Sequence, residues 1–486
     1  VMIINSQAFN AKGKDARRIY MKLDSFRSRR PIDVIAKTNP ILIIDEPQSV
    51  EGAATKERLK DFEPLLTLRY SATHKKDSIY NMVYRLDAME AYNKKLVKKI
   101  AVKGISVSGS TATESYLYLE SINLSKSKAP TAVLEFEVKG AAAPRKITRT
   151  VSVGDNLYEK YSGLEEYRGY TVSDINGSTN SLSFKNGVTI FAGDVMGAVS
   201  EEQVRRIQIR ETIKSHFERE RQLFYKGIKV LSLFFIDEVA KYKQYDAAGV
   251  AHNGEYADVF EEEYSAALNE WQLAFGEDDY MKYLNGISAE STHAGYFSID
   301  KKSHRFVESK LGDKKEKTSD DADAYDLIMK NKERLLDRKE PVRFLFSHSA
   351  LREGWDNPNV FQICTLKQSG SDVRKRQEVG RGLRLSVNQD GERMDENLLG
   401  EDVHNINVLT VVANESYDSF AKALQSELAE VVADRPRIVN SELFENKVIC
   451  NTDGVEQTID QSTAMSIAEE MIINGYTRKG ILTDKY

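Results

Sequence analysis

The sequence predicts an α/β protein built on parallel sheets, with a β-rich segment inserted between them. Three observations carry that expectation. Two apolar runs, Ile41–Ile44 and Lys229–Asp237, proceed without polar alternation, as strands do when both faces of a parallel sheet are covered. Charge-rich stretches with helical potential separate these from further apolar runs at Phe344–Phe346, Phe361–Leu366 and Val408–Val412, and alternating strands and helices favour parallel sheets. Residues 101–195 lack helical periodicity and are punctuated by Ser, Thr and Gly, which marks them as a separate, all-β segment.

Taken in order, Val1–Asn5 reads as a short strand and Asp15–Arg30 as a basic stretch with helical potential. Ile41–Ile44 is a buried strand ending in two acids, and Leu65–Tyr70 is the next strand, ending in Ser71-Ala72-Thr73. The β segment comprises 105–107, 116–122, 132–138, 146–153 and 182–191, with Asn186-Gly187 as a hairpin signal. Glu201–Tyr225 spaces Val204, Ile207, Ile213 and Phe217 among dense charges, the pattern of one amphipathic helix or two. Lys229–Asp237 restarts the α/β pattern. Residues 240–340 read as mostly helical, Ser419–Val432 and Ala464–Ile473 as helices. The expected domains are 1–100, 101–198 (β-rich insertion), 199–436 with a helical insertion at about 240–340, and a linker over 437–486.

Bulk properties narrow the class. A chain of 486 residues suggests three domains, or two with insertions. Hydrophobic residues at 41% and charged residues at 29% are the balance of a globular protein. The net charge of -5 does not mark a nucleic-acid binder, although a basic cleft can sit inside an acidic whole. Two cysteines, Cys364 and Cys450, exclude a disulfide framework and point to a reducing, cytoplasmic setting. There is no signal peptide and no run of about 18 apolar residues, so a membrane is not expected.

Four stretches carry chemistry. In Asp45-Glu46-Pro47-Gln48, two acids follow a buried strand, where α/β sheets place their sites. Asp45 can hold Mg²⁺ through its water shell, and Glu46 can deprotonate a water attacking a γ-phosphate. Ser71 and Thr73 close the next strand, whose end can lie beside Asp45. In Leu351-Arg352-Glu353-Gly354-Trp355-Asp356-Asn357-Pro358, Gly354 permits close backbone approach, Asp356 can accept from a ribose hydroxyl or fix an arginine, and Trp355 belongs in a core. In Gln377-Glu378-Val379-Gly380-Arg381-Gly382-Leu383-Arg384, the two arginines would share one face of a helix, and guanidinium suits bidentate phosphate contact. Each stretch alone also fits a turn or a solvated surface.

In this order, the four resemble the motifs of superfamily 2 helicases and translocases: Walker B at Asp45–Gln48, the third motif at Ser71–Thr73, the fifth at Arg352–Pro358 and the sixth at Gln377–Arg384, with Lys229–Asp237 as the fourth. Asp-Glu-Pro-Gln, Leu-Phe-Phe-Ile-Asp-Glu-Val and Ser347–Cys364 resemble more narrowly the restriction (Res) subunit of type III restriction–modification systems, over nearly the whole chain. The resemblance implies RecA-like sheets, a partial first domain and a complete second one. It implies ATP and Mg²⁺ as cofactors, with hydrolysis coupled to movement or switching on double-stranded DNA and to its cleavage, and a methyltransferase (Mod) subunit as partner. Asp45 would organise Mg²⁺, Glu46 would be the base, and Gln48 would sense the γ-phosphate or the water. Ser71 and Thr73 would couple hydrolysis to movement. Gly354 and Asp356 would border the nucleotide. Gln377, Arg381 and Arg384 would face the phosphates, with Arg384 as the finger. Ser232, Ser347, Arg352 and the basic run Arg374-Lys375-Arg376 are weaker candidates for DNA contact.

Two departures accompany the resemblance. No Gly-x-x-x-x-Gly-Lys-Ser/Thr phosphate loop occurs, and no Pro-Asp…Glu-x-Lys nuclease signature follows Arg437. The chain therefore reads as an internal stretch that alone hydrolyses ATP poorly or not at all; DNA-stimulated hydrolysis by these 486 residues would refute that. The alternatives are a superfamily 2 helicase of another defence or repair system, or a non-hydrolysing DNA-binding or assembly module.

Overall fold

The computed structural model describes residues 2–4, 9, 18–45, 47, 52–71, 81–84, 86, 88–107, 115–197, 199–246, 250–299, 306–307, 332–348, 355, 357–367, 378–413, 439–450, 456–478 and 481–483. The chain divides into two compact units, one of residues 1–85 with 435–486 and one of residues 86–434.

In the first unit, residues 2–4 form neither helix nor strand. The basic stretch before residue 31 is not a helix where it is described. It makes two single 3-10 turns, Arg18–Tyr20 and Asp24–Phe26, and then a left-handed pair, Arg27 and Ser28, at φ 53° and 56°. A helix starts only at Pro31, whose fixed φ suits the first helical position; α1 spans Pro31–Ala36. Strand β1 (Ile41–Asp45), helix α2 (Ala53–Lys60) and strand β2 (Leu66–Tyr70) follow, and β1 and β2 pair in parallel. The expectation that Ile41–Ile44 is covered on both faces does not hold in this unit. Ile41 and Ile43 are exposed, because β1 and β2 form a two-stranded sheet among the described residues.

The second unit opens with α3 (Ala88–Asn93) and β3 (Lys99–Gly104). The β-rich module follows: β4 (Ser106–Val107), β5 (Leu117–Asn123), β6 (Thr131–Val138), β7 (Arg145–Val151), β8 (Val172–Asn176), β9 (Ser181–Phe184), β10 (Thr189–Phe191) and β11 (Asp194–Met196). It forms a five-stranded sheet in the order β4-β11-β5-β6-β7 and a three-stranded sheet β10-β9-β8, with its own core of Leu134, Phe136, Tyr167, Tyr170 and Phe184. The β9–β10 hairpin turns at Asn186-Gly187, where Phe184 N–H donates to Val188 O at 2.8 Å and Gly187 takes φ 87°, a left-handed conformation open to glycine.

The helix α4 (Glu201–Phe224) is continuous, started by a reciprocal cap between Ser200 and Gln203. Then come β12 (Leu231–Phe235), the hairpin β13 (Lys243–Tyr245) and β14 (Ala251–Asn253), α5 (Glu255–Phe275), α6 (Asp279–Asn285), β15 (His293–Tyr296), the pair β16 (Ser298–Ile299) and β17 (Phe306–Val307), and α7 (Lys332–Leu336). The unit continues with β18 (Phe344–Ser347), β19 (Val360–Thr365), α8 (Glu396–Leu399), α9 (Val403–Ile406) and β20 (Val408–Ala413). Six strands in the order β15-β18-β12-β19-β20-β3 form a sheet in which every pair is parallel.

Two of these strands come from unexpected places. β15 lies in the stretch expected to be helical, and β3 lies astride the boundary expected between the first domain and the insertion. Alternate side chains face opposite ways on a strand. Phe234, Phe344, Phe346, Cys364 and Val412 therefore pack under α4 and α5, while Leu233, Phe235, Leu345, Ile363, Leu409 and Val411 form the opposite layer with Trp355 and Val379. This double burial is why β12, β19 and β20 read as continuous apolar runs.

The tail carries β21 (Val448–Cys450), β22 (Glu456–Thr458), α10 (Gln461–Ile473) capped by Asp460, and the pair β23 (Thr477–Arg478) and β24 (Ile481–Leu482). These residues, expected to be a linker, group with 1–85. The helix expected at 419–432 lies outside the described residues.

Candidate nucleotide and DNA sites

In the first unit, parallel pairing sets Ile44 beside Arg69 and Asp45 beside Tyr70, so Ser71 emerges next to the end of β1. The strand ends expected to be neighbours are neighbours. Asp45 is exposed, Ser71 half-buried and Pro47 buried. Glu46, Gln48 and Thr73 lie outside the described residues. Among the described residues no three carboxylates, histidines or cysteines cluster as metal ligands. A single solvated carboxylate such as Asp45 fits Mg²⁺, which keeps most of its waters, and not a cation that needs a full protein cage.

In the second unit, Arg352, Gly354, Asp356 and Gln377 lie outside the described residues. Trp355 is fully buried in the layer beneath the sheet, as expected, and its carbonyl accepts from Arg381 Nη1 at 2.9 Å. The shared helix face predicted for Arg381 and Arg384 is not what forms. The helical turn at Glu378–Gly380 loosens at Arg381–Gly382, and Arg384 is extended, bridging Val97. Two glycines in three residues weaken the helix. Gly382 is also needed for space, since a Cβ there would lie 2.6 Å from Leu409 Cδ1. Glu378 is occupied by Lys367 at 2.5 Å.

The arginine-bearing segment runs across the amino ends of β19, β20 and β3, pinned by a side chain from the residue before each strand. Asn359 donates to Val387 O at 2.9 Å and accepts from Val387 N–H at 2.8 Å. Asn407 Oδ1 accepts from Ser386 N–H at 2.8 Å and from its hydroxyl at 2.9 Å, while Nδ2 donates to Met394 O and Val403 O. Lys98 sends its N–H to Leu383 O at 2.9 Å and its Nζ to Pro358 O at 2.5 Å, to Gly382 O at 3.1 Å and to Arg384 O. Burial pushes the Lys98 ammonium well below the usual lysine range, and the three carbonyls offset that by giving each of its N–H groups an acceptor. Sequence reasoning missed all three pinning residues. Lys98-Lys99 looks like a solvated pair, and Asn359 and Asn407 like turn residues, so no pattern marked them.

Ser232 and Ser347 are corrected as DNA contacts. Ser232 is fully buried in β12 on the α4 side, where its hydroxyl meets His216 Nδ1 at 2.8 Å and Gln362 Oε1 at 2.9 Å. Ser347 is 1% exposed, with its hydroxyl turned inside. Neither presents a hydroxyl to a phosphate. The run 374–376 lies outside the described residues.

Sequence comparison now bears on this geometry. Over 395 residues the chain is 33% identical to the type III restriction-modification enzyme EcoP15I Res subunit of Escherichia coli, and 32% to the EcoPI Res subunit of Escherichia phage P1. Four fifths of the chain is thus similar in sequence to type III restriction Res subunits. It is also 30% identical over 433 residues to the StyLTI Res subunit of Salmonella typhimurium. These matches take in 80–81% of this chain but 37–40% of each relative, so the chain spans well under half their length. No family model matches it. Among solved structures, a fragment of a putative HsdR subunit of a type I restriction enzyme from Vibrio vulnificus aligns over 89% of this chain and 53% of its own, at 10% identity and a TM-score of 0.30. The DNA-bound type ISP enzyme LlaBIII aligns over 85% and 25%, at 11% and 0.28. Both scores are too low to bear on this chain's fold, which rests on its own parallel sheet. Among the described residues, no helix is long and apolar enough to cross a membrane.

Proposed function

We propose that this chain forms part of the ATP-driven DNA motor of a type III restriction enzyme, acting with a methyltransferase subunit on double-stranded DNA. The observation that carries the reading is the relationship to Res subunits across four fifths of the chain. The adjacency of Asp45 and Ser71 at two parallel strand ends supports it. Bound Mg²⁺ supplies charge neutralisation at the phosphates. Asp45 would hold the ion, Glu46 takes the proton of the attacking water, and Gln48 orients that water or senses the γ-phosphate. Ser71 and Thr73 pass the state of the carboxylates to the rest of the motor. Gly354 and Asp356 border the nucleotide, and Gln377, Arg381 and Arg384 meet its phosphates, with Arg384 stabilising the charge that develops in transfer. Arg352 remains the candidate DNA contact.

The test is ATP hydrolysis by the full-length subunit assembled with its methyltransferase partner. Duplex DNA carrying the recognition site should stimulate turnover, and Asp45→Asn should raise the Mg²⁺ concentration needed for half-maximal rate. Turnover indifferent to DNA would refute the motor reading.

A further inference from the structure

Lys98 differs from the cations that face carboxylates and shares its burial with Lys229, whose Nζ donates to Asp337 O at 2.8 Å and Glu340 O at 2.6 Å. Lys103, Arg210 and Lys214 each face a carboxylate, at Glu211, Glu135 and Glu120, and Arg343 faces Glu220. Lys98 is 1% exposed, and among the described residues it pairs with no acid. Its ammonium is directed at backbone alone, with the Phe361 ring 4.8 Å away closing one side. Through its own N–H and its Nζ, this one residue occupies the carbonyls of Gly382, Leu383 and Arg384 in succession. The same Nζ reaches across to Pro358 O. Pro358 lies in the turn just before β19, and Gly382–Arg384 ends the arginine segment. Two loops that approach from different strands thus meet on a single charged atom.

A burial this costly needs a reason. A lysine whose only task is to fill space could be replaced by methionine, whereas one that orders carbonyl dipoles fixes where the attached side chains emanate. Arg381 is additionally tied to Trp355 O, within the same pair of loops. We propose that Lys98 is a positioning residue for ATP hydrolysis: its ammonium clamps the Asn357–Pro358 turn to the Gly382–Arg384 segment and so sets the aim of Arg381 and Arg384. The proposal rests on the reading that these arginines meet the nucleotide's phosphates.

The clamp acts on transition-state alignment, so its loss falls on kcat and not on nucleotide binding. A misplacement of about 1 Å can cost on the order of a hundredfold in rate. The experiment compares wild type, Lys98→Met, Lys98→Arg, Arg384→Ala and Glu46→Gln in the full-length subunit with its methyltransferase partner, measuring kcat, KM for ATP and thermal unfolding. Lys98→Met is expected to lower kcat roughly 10- to 100-fold with KM changed less than about threefold, in protein that still unfolds cooperatively. Lys98→Arg, which keeps charge and donors, should recover a large part of the loss. The proposal is overturned if folded Lys98→Met keeps kcat within about twofold, if Lys98→Arg folds but is as inactive as Lys98→Met, or if all substitutions at Lys98, Lys98→Gln included, abolish folding. Failure of the functional reading is separate: Glu46→Gln or Arg384→Ala would then leave turnover intact, whatever Lys98 does.

Discussion

Arg343→Met is the perturbation whose size follows most directly from the geometry. Arg343 is fully buried at the entry to β18, with Nη1 2.7 Å from Glu220 Oε2 and Nη2 2.9 Å from the Tyr264 hydroxyl. Tyr280 OH donates to Glu220 Oε2 at 3.1 Å, and His216 Nε2 lies 3.6 Å from the same atom. Burial pushes Glu220 up, but the guanidinium outweighs it and holds the carboxyl at about 2 against an ordinary 4.5. That gap corresponds to roughly 3 kcal/mol. Because the folded value is depressed, the contribution is present above pH 4.5 and is lost as pH falls from there toward 2. Methionine fills much of the space but strands the carboxylate, which costs about 3–5 kcal/mol at pH 7. The sign of the pH dependence also reverses. An unpaired buried Glu220 has a raised pKa, so the variant should gain stability as pH falls from that raised value toward 4.5, above the range where wild type loses it. Glu220→Gln added to Arg343→Met should recover most of the loss. Denaturant unfolding at pH 7 and at pH 4 reads both effects. A cost under about 1 kcal/mol, or an unchanged pH slope, would refute the reasoning.

Three further outcomes follow from the packing. Asn407→Ala removes the acceptor of Ser386 N–H and two donated bonds inside the second unit, and should cost about 2–3 kcal/mol by denaturant midpoint. Gly382→Val forces a Cβ against Leu409 and Ile363 and should cost about 1–3 kcal/mol while lowering turnover more than stability loss accounts for. Ser200→Ala deletes the oxygen that accepts from Gln203 N–H at the start of α4, and should cost about 1 kcal/mol without changing the folded state's spectrum.

What the sequence made legible is local. The Leu-Ser-Leu-Phe-Phe run became β12, and the Asn186-Gly187 pair became a hairpin turn, because each signal is complete within a few residues. Asp45 and Ser71 were expected at neighbouring strand ends, and one parallel pairing between consecutive strands suffices to put them there. What escaped depends on distant pairing. β3 joins β20 from across some three hundred residues, and β15 hides in a polar stretch as the edge of the sheet. Ser232 looked like a surface hydroxyl because the residue type is polar, yet Gln362 and His216 hold it inside. Lys98 is the sharpest case. Its neighbours in sequence give no sign of burial, and only the meeting of two loops explains why a charge is there. The arginine segment also differed in shape from its motif, since Gly380 and Gly382 let it leave the helix before Arg384.

The central claim is that Asp45 and Glu46 serve an ATP-driven motor. The direct measurement is turnover of ATP by full-length subunit and methyltransferase partner on site-bearing DNA, wild type against Glu46→Gln, with nucleotide affinity measured in parallel. The account predicts that Glu46→Gln binds ATP as wild type does and loses turnover by about 10²- to 10⁴-fold, the range for removing a positioned general base. Glu46→Gln protein that hydrolyses ATP at the wild-type rate would contradict it.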